Sequence, residues 1–557
     1  MRYGSVQNAE FHLFCSENRN FMVKNINDMD IKYFEPEKIH DEIRRIRLEE
    51  DAEFLRSLIG VDWGEPQPDD APGTRRGLGV VYLIESDLTH ERFQVCTSTL
   101  NRENPFLPSV SDLFPAALMM EREVYDFYGI RFTGHPDMRR LFLREDWVGH
   151  PFRKDDQPEQ QNPLRMTNEE TVDTTTCWLP QPDGTVKPEQ RRLFQPEEYV
   201  VNIGPQHPAT HGVLRFRVSL DGENIRKVDV NCGYIHRGIE KMSESLTYPQ
   251  TLALTDRLDY LSAMQNRHAL CLCIEQAMGV QVSDRVQVIR TIMDELQRID
   301  SHLLFFSCLC QDMGATTAFL YGFRDREKIL DIFEQTCGGR LILNYNTIGG
   351  VQSDLHPDFL RRVKEFIPYL RGQLKEYHDI FTGNVIAQNR LKGTGILSRK
   401  NAIGYGVTGG SGRACGWMCD VRKRAPYAAY DRVEFREVIR KEGDSFARYM
   451  VRMEEIEESL HIIEQLIDNI PDGPIQEKMK PIIRVPEGCY YAAVESSRGE
   501  FGVYLESRGD KYPYRLHYRS TGLPLVSVVD TITRGQKIAD LIAIGGTLDY
   551  IVPDIDR

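Results

Sequence analysis

The stretch Ile203-Gly204-Pro205-Gln206-His207-Pro208-Ala209-Thr210-His211-Gly212, running straight into Val213 to Leu220, decides how this chain reads. Two prolines and the flanking glycines argue against a regular helix across the histidines, so their spacing is not one helical face. The alternation that follows predicts a strand with Leu214, Phe216, Val218 and Leu220 on one side. Arg215, Arg217 and Ser219 take the other side. Asp221-Gly222 then turns the chain into a second strand, Ile225 to Cys232. Two imidazoles at the root of a hairpin can handle protons beside a bound ligand; surface or hydrogen-bonded histidines are the plainer alternative.

Beyond the hairpin the pattern turns helical. Arg257 to Met278, ended by Gly279, carries one long apolar pattern, and Asp284 to Cys310 carries another. Phe446 to Leu466 is the cleanest amphipathic helix, with Tyr449, Met453, Ile456, Leu460 and Ile463 at helical steps. These stripes are core-forming and predict a helical bundle with small strand elements around it. Near the end, Gly499 to Leu505, Tyr514 to Tyr518 and Leu525 to Val529 read as short strands, and apolar Leu548 to Val552 reads as a docked segment. Six glycines between Gly404 and Gly416 match neither a phosphate loop nor a dinucleotide fingerprint; they read as close backbone packing.

Before the hairpin, residues 1–150 read as a small α/β domain. Ile39 to Leu58 is helix-like, Leu78 to Ile84 and Phe93 to Leu100 are strands around a turn at Asp87 to His90, and Ala116 to Phe127 is a helix stopped by Gly129. Residues 151–196 are polar and proline-containing, a linker or an ordered tether. Residues 197–557 form the second domain. The expected class is therefore α+β and multidomain, a small α/β domain followed by a mainly helical one.

With 557 residues, 41% of them hydrophobic, the chain exceeds one ordinary core. It contains no apolar run of about 20 residues that would span a bilayer. The start, Met1-Arg2-Tyr3-Gly4, lacks the apolar core of a secretory signal. A formal charge of −14 argues against a general nucleic-acid binder. Twelve cysteines without any CxxC predict reduced, mostly buried thiols rather than a disulfide scaffold or a metal centre.

Two side chains stand out for chemistry beside the loop histidines. Tyr260, in Asp256-Arg257-Leu258-Asp259-Tyr260, offers a phenol that can donate to a carbonyl oxygen, or simply a core tyrosine. Asp312, before Met313-Gly314, can orient a histidine, or simply cap a helix. His268 and His302 read as hydrogen-bonded packing residues, and Glu240, Glu275 and Glu295 as candidate buried carboxylates.

Taken together, the chain resembles the fused C and D subunits of bacterial proton-translocating NADH:quinone oxidoreductase, respiratory complex I. The likeness covers nearly the whole sequence. In the first half it rests on Leu55-Arg56-Ser57-Leu58-Ile59-Gly60-Val61-Asp62 and on Glu121-Arg122-Glu123-Val124-Tyr125-Asp126-Phe127-Tyr128-Gly129-Ile130. In the second it rests on Gly204 to Gly212, His236-Arg237-Gly238-Ile239-Glu240-Lys241, Asp259-Tyr260, Ser301-His302-Leu303 and Asp312-Met313-Gly314-Ala315.

That resemblance implies a second domain related to the large subunit of nickel–iron hydrogenases. Both CxxC pairs of those enzymes are absent here, so no metal is expected on this chain; the resemblance makes the vacated cavity a quinone headgroup pocket. It implies that His211 and Tyr260 contact the headgroup, that Asp312 partners His211, that His207 shapes the loop, and that Arg237 lies near the terminal iron–sulfur cluster of the B subunit. Quinone is then the substrate, while NADH, FMN and iron–sulfur clusters belong to partner subunits. The expected partners are the B, I and G subunits and the membrane-embedded H subunit, at the cytoplasmic side of the bacterial inner membrane. Two competing readings are another oxidoreductase of the hydrogenase superfamily and a non-catalytic assembly scaffold within a redox complex.

Overall fold

The computed structural model describes residues 31–67, 70, 74–156, 173–181, 185–207, 210 and 212–557. A mixed α+β region comes first and a mainly helical region follows. The first helix, α1 (Pro36–Glu49), buries Ile39, Ile43 and Ile46. It packs near a four-stranded sheet built from Lys32–Tyr33, β1 (Phe54–Asp62), β2 (Leu78–Glu85) and β3 (Arg92–Thr99). Helix α2 (Ala117–Tyr128) crosses β1 and ends at Gly129, which adopts the left-handed conformation.

The expected helix from Ile39 to Leu58 is thus two elements. Asp51, at φ 49°, breaks the chain after α1. Phe54 and Leu58 then enter β1, whose residues are all buried, so their helical spacing in the sequence is a coincidence of a strand covered on both faces.

Within 151–196, β4 (Thr174–Pro180) and β5 (Val186–Arg192) form an antiparallel hairpin. It is fastened to the first region by Gly134 N donating to Trp178 O at 2.7 Å. Next come β6 (Tyr199–Ile203), β7 (Arg215–Asp221) and β8 (Asn224–Asn231), an antiparallel sheet with β7 central. The apolar side of β7 is buried, as its alternation predicts. Its other side is largely covered too, because Arg217 lies under the Phe194 ring and pairs with Asp173.

The helical region is assembled around α3 (Ala263–Met278), α4 (Asp284–Asp312), α5 (Thr316–Cys337), α6 (Phe359–Tyr377) and α7 (Ser445–Ile467). A three-stranded antiparallel sheet, β9 (Gly488–Ser496), β10 (Gly499–Ser507) and β11 (Arg515–Arg519), lies against α3. Leu525 to Val529, expected as a strand, instead falls in two short helices, Gly522–Ser527 and Val529–Thr533. Asp554 explains the start of that turn: its carboxylate accepts from the backbone N–H groups of Thr521 and Gly522, both at 2.8 Å. The apolar run is buried by helix packing rather than by a ladder. Helix α8 (Ile538–Leu548) leads into the closing segment, where Leu548, Tyr550, Ile551 and Val552 are all buried.

Two features fix the relative placement of these parts. One hydrophobic core is shared by α1, β1, α2, the β7–β8 hairpin and the closing segment. Beside it runs a polar seam between β1 and β11. There Arg515 Nε donates to Gly60 O at 2.9 Å, Arg519 Nε to Arg56 O at 2.8 Å, and Ser57 Oγ meets His517 Nε2 at 3.0 Å.

Candidate functional site

Helix α4 organises the site. Its N-terminus is capped by the Ser283 hydroxyl, and apolar positions bury it along most of its length. Three residues of its C-terminal half, Ser301, Cys308 and Asp312, sit at steps of seven and four and so share one face. Asp312 is the last residue of the helix and is half-buried.

Tyr260 is brought to the same place from the turn that precedes α3. Its ring is half-buried, and burial raises its phenol above the ordinary value, with the Asp259 carboxylate adding to the effect. Cys308 raises it further, while Arg498 and Arg326 act in the opposite sense. The Cys308 thiol is itself pushed up to about 11 by burial, with the carboxylates of Asp549 and Asp312 contributing. Tyr260 and Asp312, 52 positions apart, therefore each act on the Cys308 side of α4.

The third wall is the closing segment. Tyr550 is 2% exposed, and its phenol is raised by burial and by the Asp312 carboxylate. Two residues on, Val552 meets the 203–212 loop: a Cβ on Gly212 would come within 2.6 Å of Val552 Cγ2. Gly212 holds φ 143°, so glycine serves both the backbone conformation and the close approach. Inside the loop, buried Thr210 donates through Oγ1 to His207 O at 2.7 Å and to Gly212 O at 2.8 Å.

His207 contributes that carbonyl, and its side chain is exposed. His211 lies outside the described residues. Arg237 is exposed and donates to Arg257 O at 2.8 Å, which leans it on the turn carrying Tyr260. The structure thus brings Tyr260, Asp312 and the end of the loop around one segment, with Arg237 at the edge of the Tyr260 turn.

Several residues at this place carry no signal in the sequence. Arg498, in the turn between β9 and β10, donates to Asp259 Oδ2 at 2.9 Å and to Asp549 Oδ1 at 3.1 Å. The glycine-rich segment allows this turn to dock: a Cβ on Gly409 would sit 2.4 Å from Arg498 O. Close backbone packing is what those glycines predict.

Behind the site lies a buried ionic knot. Arg298, Arg413 and Arg422 face Glu295, Asp420, Glu455 and Glu495. His302 Nε2 meets Glu455 Oε2 at 2.9 Å, and His268 Nδ1 meets Asp294 Oδ2 at 2.6 Å, so both histidines are hydrogen-bonded packing residues. Glu275 and Glu240 are also buried and paired, with Arg290 at 2.7 Å and Arg515 at 2.7 Å.

Among the described residues, one group has the composition and spacing of metal ligands: Glu123, Glu240 and His517. The Arg557 guanidinium reaches both carboxylates, at 2.6 and 3.5 Å, and supplies the positive charge there. A cavity of about 620 Å³ is lined by Trp63, Arg75, Arg76, Glu506 and Arg508, not by Tyr260 or Asp312. Among the described residues, no helix is long and apolar enough to cross a membrane.

Comparison with known proteins defines the class. Residues 32–162 match the 30 kDa subunit of respiratory-chain NADH dehydrogenase, and residues 312–483 and 477–557 match its 49 kDa subunit. The fused C/D subunit of NADH-quinone oxidoreductase from Bacteroides fragilis is 73% identical over 528 residues, covering 95% of this chain and all of the relative. That of Phocaeicola vulgatus is 71% identical over 521 residues, covering 94% of this chain and 98% of the relative. The separate D subunit from Bacillus cereus is 43% identical over 365 residues, covering 65% of this chain and all of the relative.

The chain belongs to the family of fused C/D subunits of NADH-quinone oxidoreductase. It is an enzyme component of respiratory complex I, with a role in quinone reduction within that assembly.

Proposed function

We propose that this chain forms the quinone headgroup pocket of its complex together with the B subunit, and couples quinone reduction to ion translocation. The observation that carries this reading is the fastening of the Tyr260 turn to the C-terminal half of α4, where Arg498 Nη1 donates to Asp259 Oδ2 and to Ser301 Oγ, both at 2.9 Å, and where Asp312 ends the helix. The closing segment there also supports the loop bearing Thr210 and Gly212.

Reducing a quinone to a quinol takes two electrons and two protons. Each electron added to a quinone in a low-dielectric pocket creates negative charge on its oxygens, so placed donors must neutralise it. In this reading Tyr260 donates a hydrogen bond to one carbonyl, and the His211–Asp312 pair delivers a proton to the other. Burial keeps the Tyr260 phenol protonated, which suits a donor. Arg237 faces the B subunit and its terminal [4Fe-4S] cluster, from which the electrons arrive. The I and G subunits and the membrane-embedded H subunit complete the surroundings at the cytoplasmic face of the inner membrane. NADH, FMN and the other clusters are held by partner subunits.

The test is Tyr260→Phe in the assembled complex. Loss of one donor from the reacting oxygen is expected to slow quinone reduction by ~10-fold or more. Electron transfer to a water-soluble acceptor, and reduction of the clusters, should stay as in the wild type. Unchanged quinone turnover in the assembled variant rejects the assignment.

A further inference from the structure

The cavity of about 620 Å³ lies on the join between the two regions. One wall comes from the first region: Trp63, just past β1, with Arg75 and Arg76 on the way to β2. The other comes from Glu506 and Arg508 at the end of β10, with Glu487 just before β9. Trp63 also belongs to a small hydrophobic core in which Ile59 and Val61 of β1 meet Tyr491 of β9 and Tyr504 of β10. The cavity is thus the open end of a contact between two sheets. Its volume suits a small organic molecule.

Arg75 is poorly matched in its surroundings. Its side chain is only 34% exposed. Nη2 donates to the Cys489 thiol, a weak acceptor that also receives the Tyr504 hydroxyl at 3.1 Å. The Glu506 carboxylate stands 3.9 Å from Nη2, and its Oε2 already accepts from Trp63 Nε1 at 3.1 Å. Among the described residues Arg75 Nε has no hydrogen-bond partner. A cation held this far out of water is ordinarily matched by a close acceptor of opposite charge.

Arg508 supplies a second free cation from the other wall. Its guanidinium sits 3.4 Å from the centre of the Tyr514 ring, a contact that fixes it without using its N–H groups. Among the described residues it makes no ion pair. The remaining charges sort themselves: Arg76 faces Asp70 at 3.6 Å, and Glu487 is exposed at the rim. The positive charge left to the cavity therefore belongs to Arg75 and Arg508.

We propose that this cavity binds a small organic molecule through an oxyanion head, phosphate or carboxylate, gripped by Arg75 from the first region and Arg508 from the second. The planar fork of a guanidinium matches the paired oxygens of either head. Glu487 at the rim repels a second acid group and suits a hydroxyl or amine on the rest of the ligand. Bound there, the molecule bridges the two regions. This goes beyond the quinone reading and does not depend on it.

The test is a titration of the full chain with inorganic phosphate, followed by phosphorus NMR, and with lactate, followed by proton NMR, at constant ionic strength. Arg508→Gln removes one charge from an exposed side chain at the cavity, and Arg44→Gln removes the same charge from an exposed position on α1. Saturable broadening of the phosphate signal marks a phosphate head, and that of the lactate signal a carboxylate head. Either is expected with the wild type and with Arg44→Gln, and binding should weaken ~10-fold in Arg508→Gln, which loses a charge-assisted hydrogen bond. Arg75→Gln should show the same loss; Arg508→Gln carries the test alone where Arg75→Gln does not fold.

No broadening by either anion, or equal binding to the Arg508→Gln and Arg44→Gln chains, overturns the proposal. The same titration on the assembled complex separates a small molecule from a side chain of a partner subunit. Binding retained there supports the small-molecule site. Binding lost on assembly means that a partner fills the cavity, and overturns it.

Discussion

Arg557 Nη2 donates to Glu123 Oε2 at 2.6 Å across 434 positions of sequence. The carboxylate belongs to α2 of the first region, whereas the guanidinium ends the segment that walls the site. Arg557 also reaches Glu240 Oε1, and both carboxylates are buried. The same residue thus joins the two regions and fixes the site's third wall.

Arg557→Ala leaves Glu123 without its cation in a buried seam. Breaking one side of a buried pair costs about 3–5 kcal/mol, so a drop of that size in unfolding free energy is expected by chemical denaturation. Arg557→Lys should recover part of it. A loss below about 1 kcal/mol would mean that water reaches this carboxylate.

Glu121 gives a pH signature. It is fully buried, accepts from Ser109 Oγ at 2.6 Å and from Val110 N at 2.7 Å, and burial pushes it up to about 8. The neighbouring His135, 3.9 Å away, is lowered to about 4 by burial, so near neutrality the pair is two uncharged groups. The folded chain holds the Glu121 proton more tightly than the unfolded chain does. Its contribution is complete below about 4.5, the ordinary value, and is lost as pH rises to about 8. Glu121→Gln keeps a neutral group there. Between pH 5 and 8 the melting temperature of the wild type should fall more steeply than that of the variant; parallel curves would refute the assignment.

Gly212→Ala places a methyl group 2.6 Å from Val552 Cγ2 on a left-handed backbone. Strain and overlap together are expected to cost ~1–3 kcal/mol and to raise the KM for quinone several-fold. Adding Val552→Ala removes the overlap but not the strain, so part of the KM defect should be recovered. Steady-state kinetics of the single and double variants read this directly.

Asp312→Asn keeps the size of the side chain and removes its charge. With the carboxylate gone from the end of α4, quinone turnover is expected to fall by ~10-fold or more, while electron transfer to a water-soluble acceptor is retained. Equal loss of both activities would point to a failure of assembly instead.

Much of the fold was legible because burial repeats. The stripes of α4 and α7 recur every three or four residues over more than 20 positions, and no competing period fits them. Short apolar runs fail for the same reason in reverse. Phe54 to Asp62 is buried on both faces and carries no period of its own, so the pattern merges it with the helix before it. Leu525 to Val529 reads as a strand because its valines favour strands, yet tertiary packing buries them in two short helices.

The candidate site could be proposed from the sequence only where its residues sit in distinctive strings, as Tyr260 and Asp312 do. Arg498 meets Asp259 and Asp549 through side chains that are far apart in sequence. Such bonds leave no trace in composition, spacing or hydropathy.

The knot of Arg298, Arg413 and Arg422 with Glu295, Asp420, Glu455 and Glu495 draws on α4, α7, β9 and the segment between residues 413 and 422. None of its guanidinium groups can leave water cheaply until every strand and helix that brings a carboxylate has arrived. A half-formed intermediate would strand bare charge in oil. The helical region must therefore close as a unit, like a lock whose tumblers all fall together, and excised pieces of it will not stand alone.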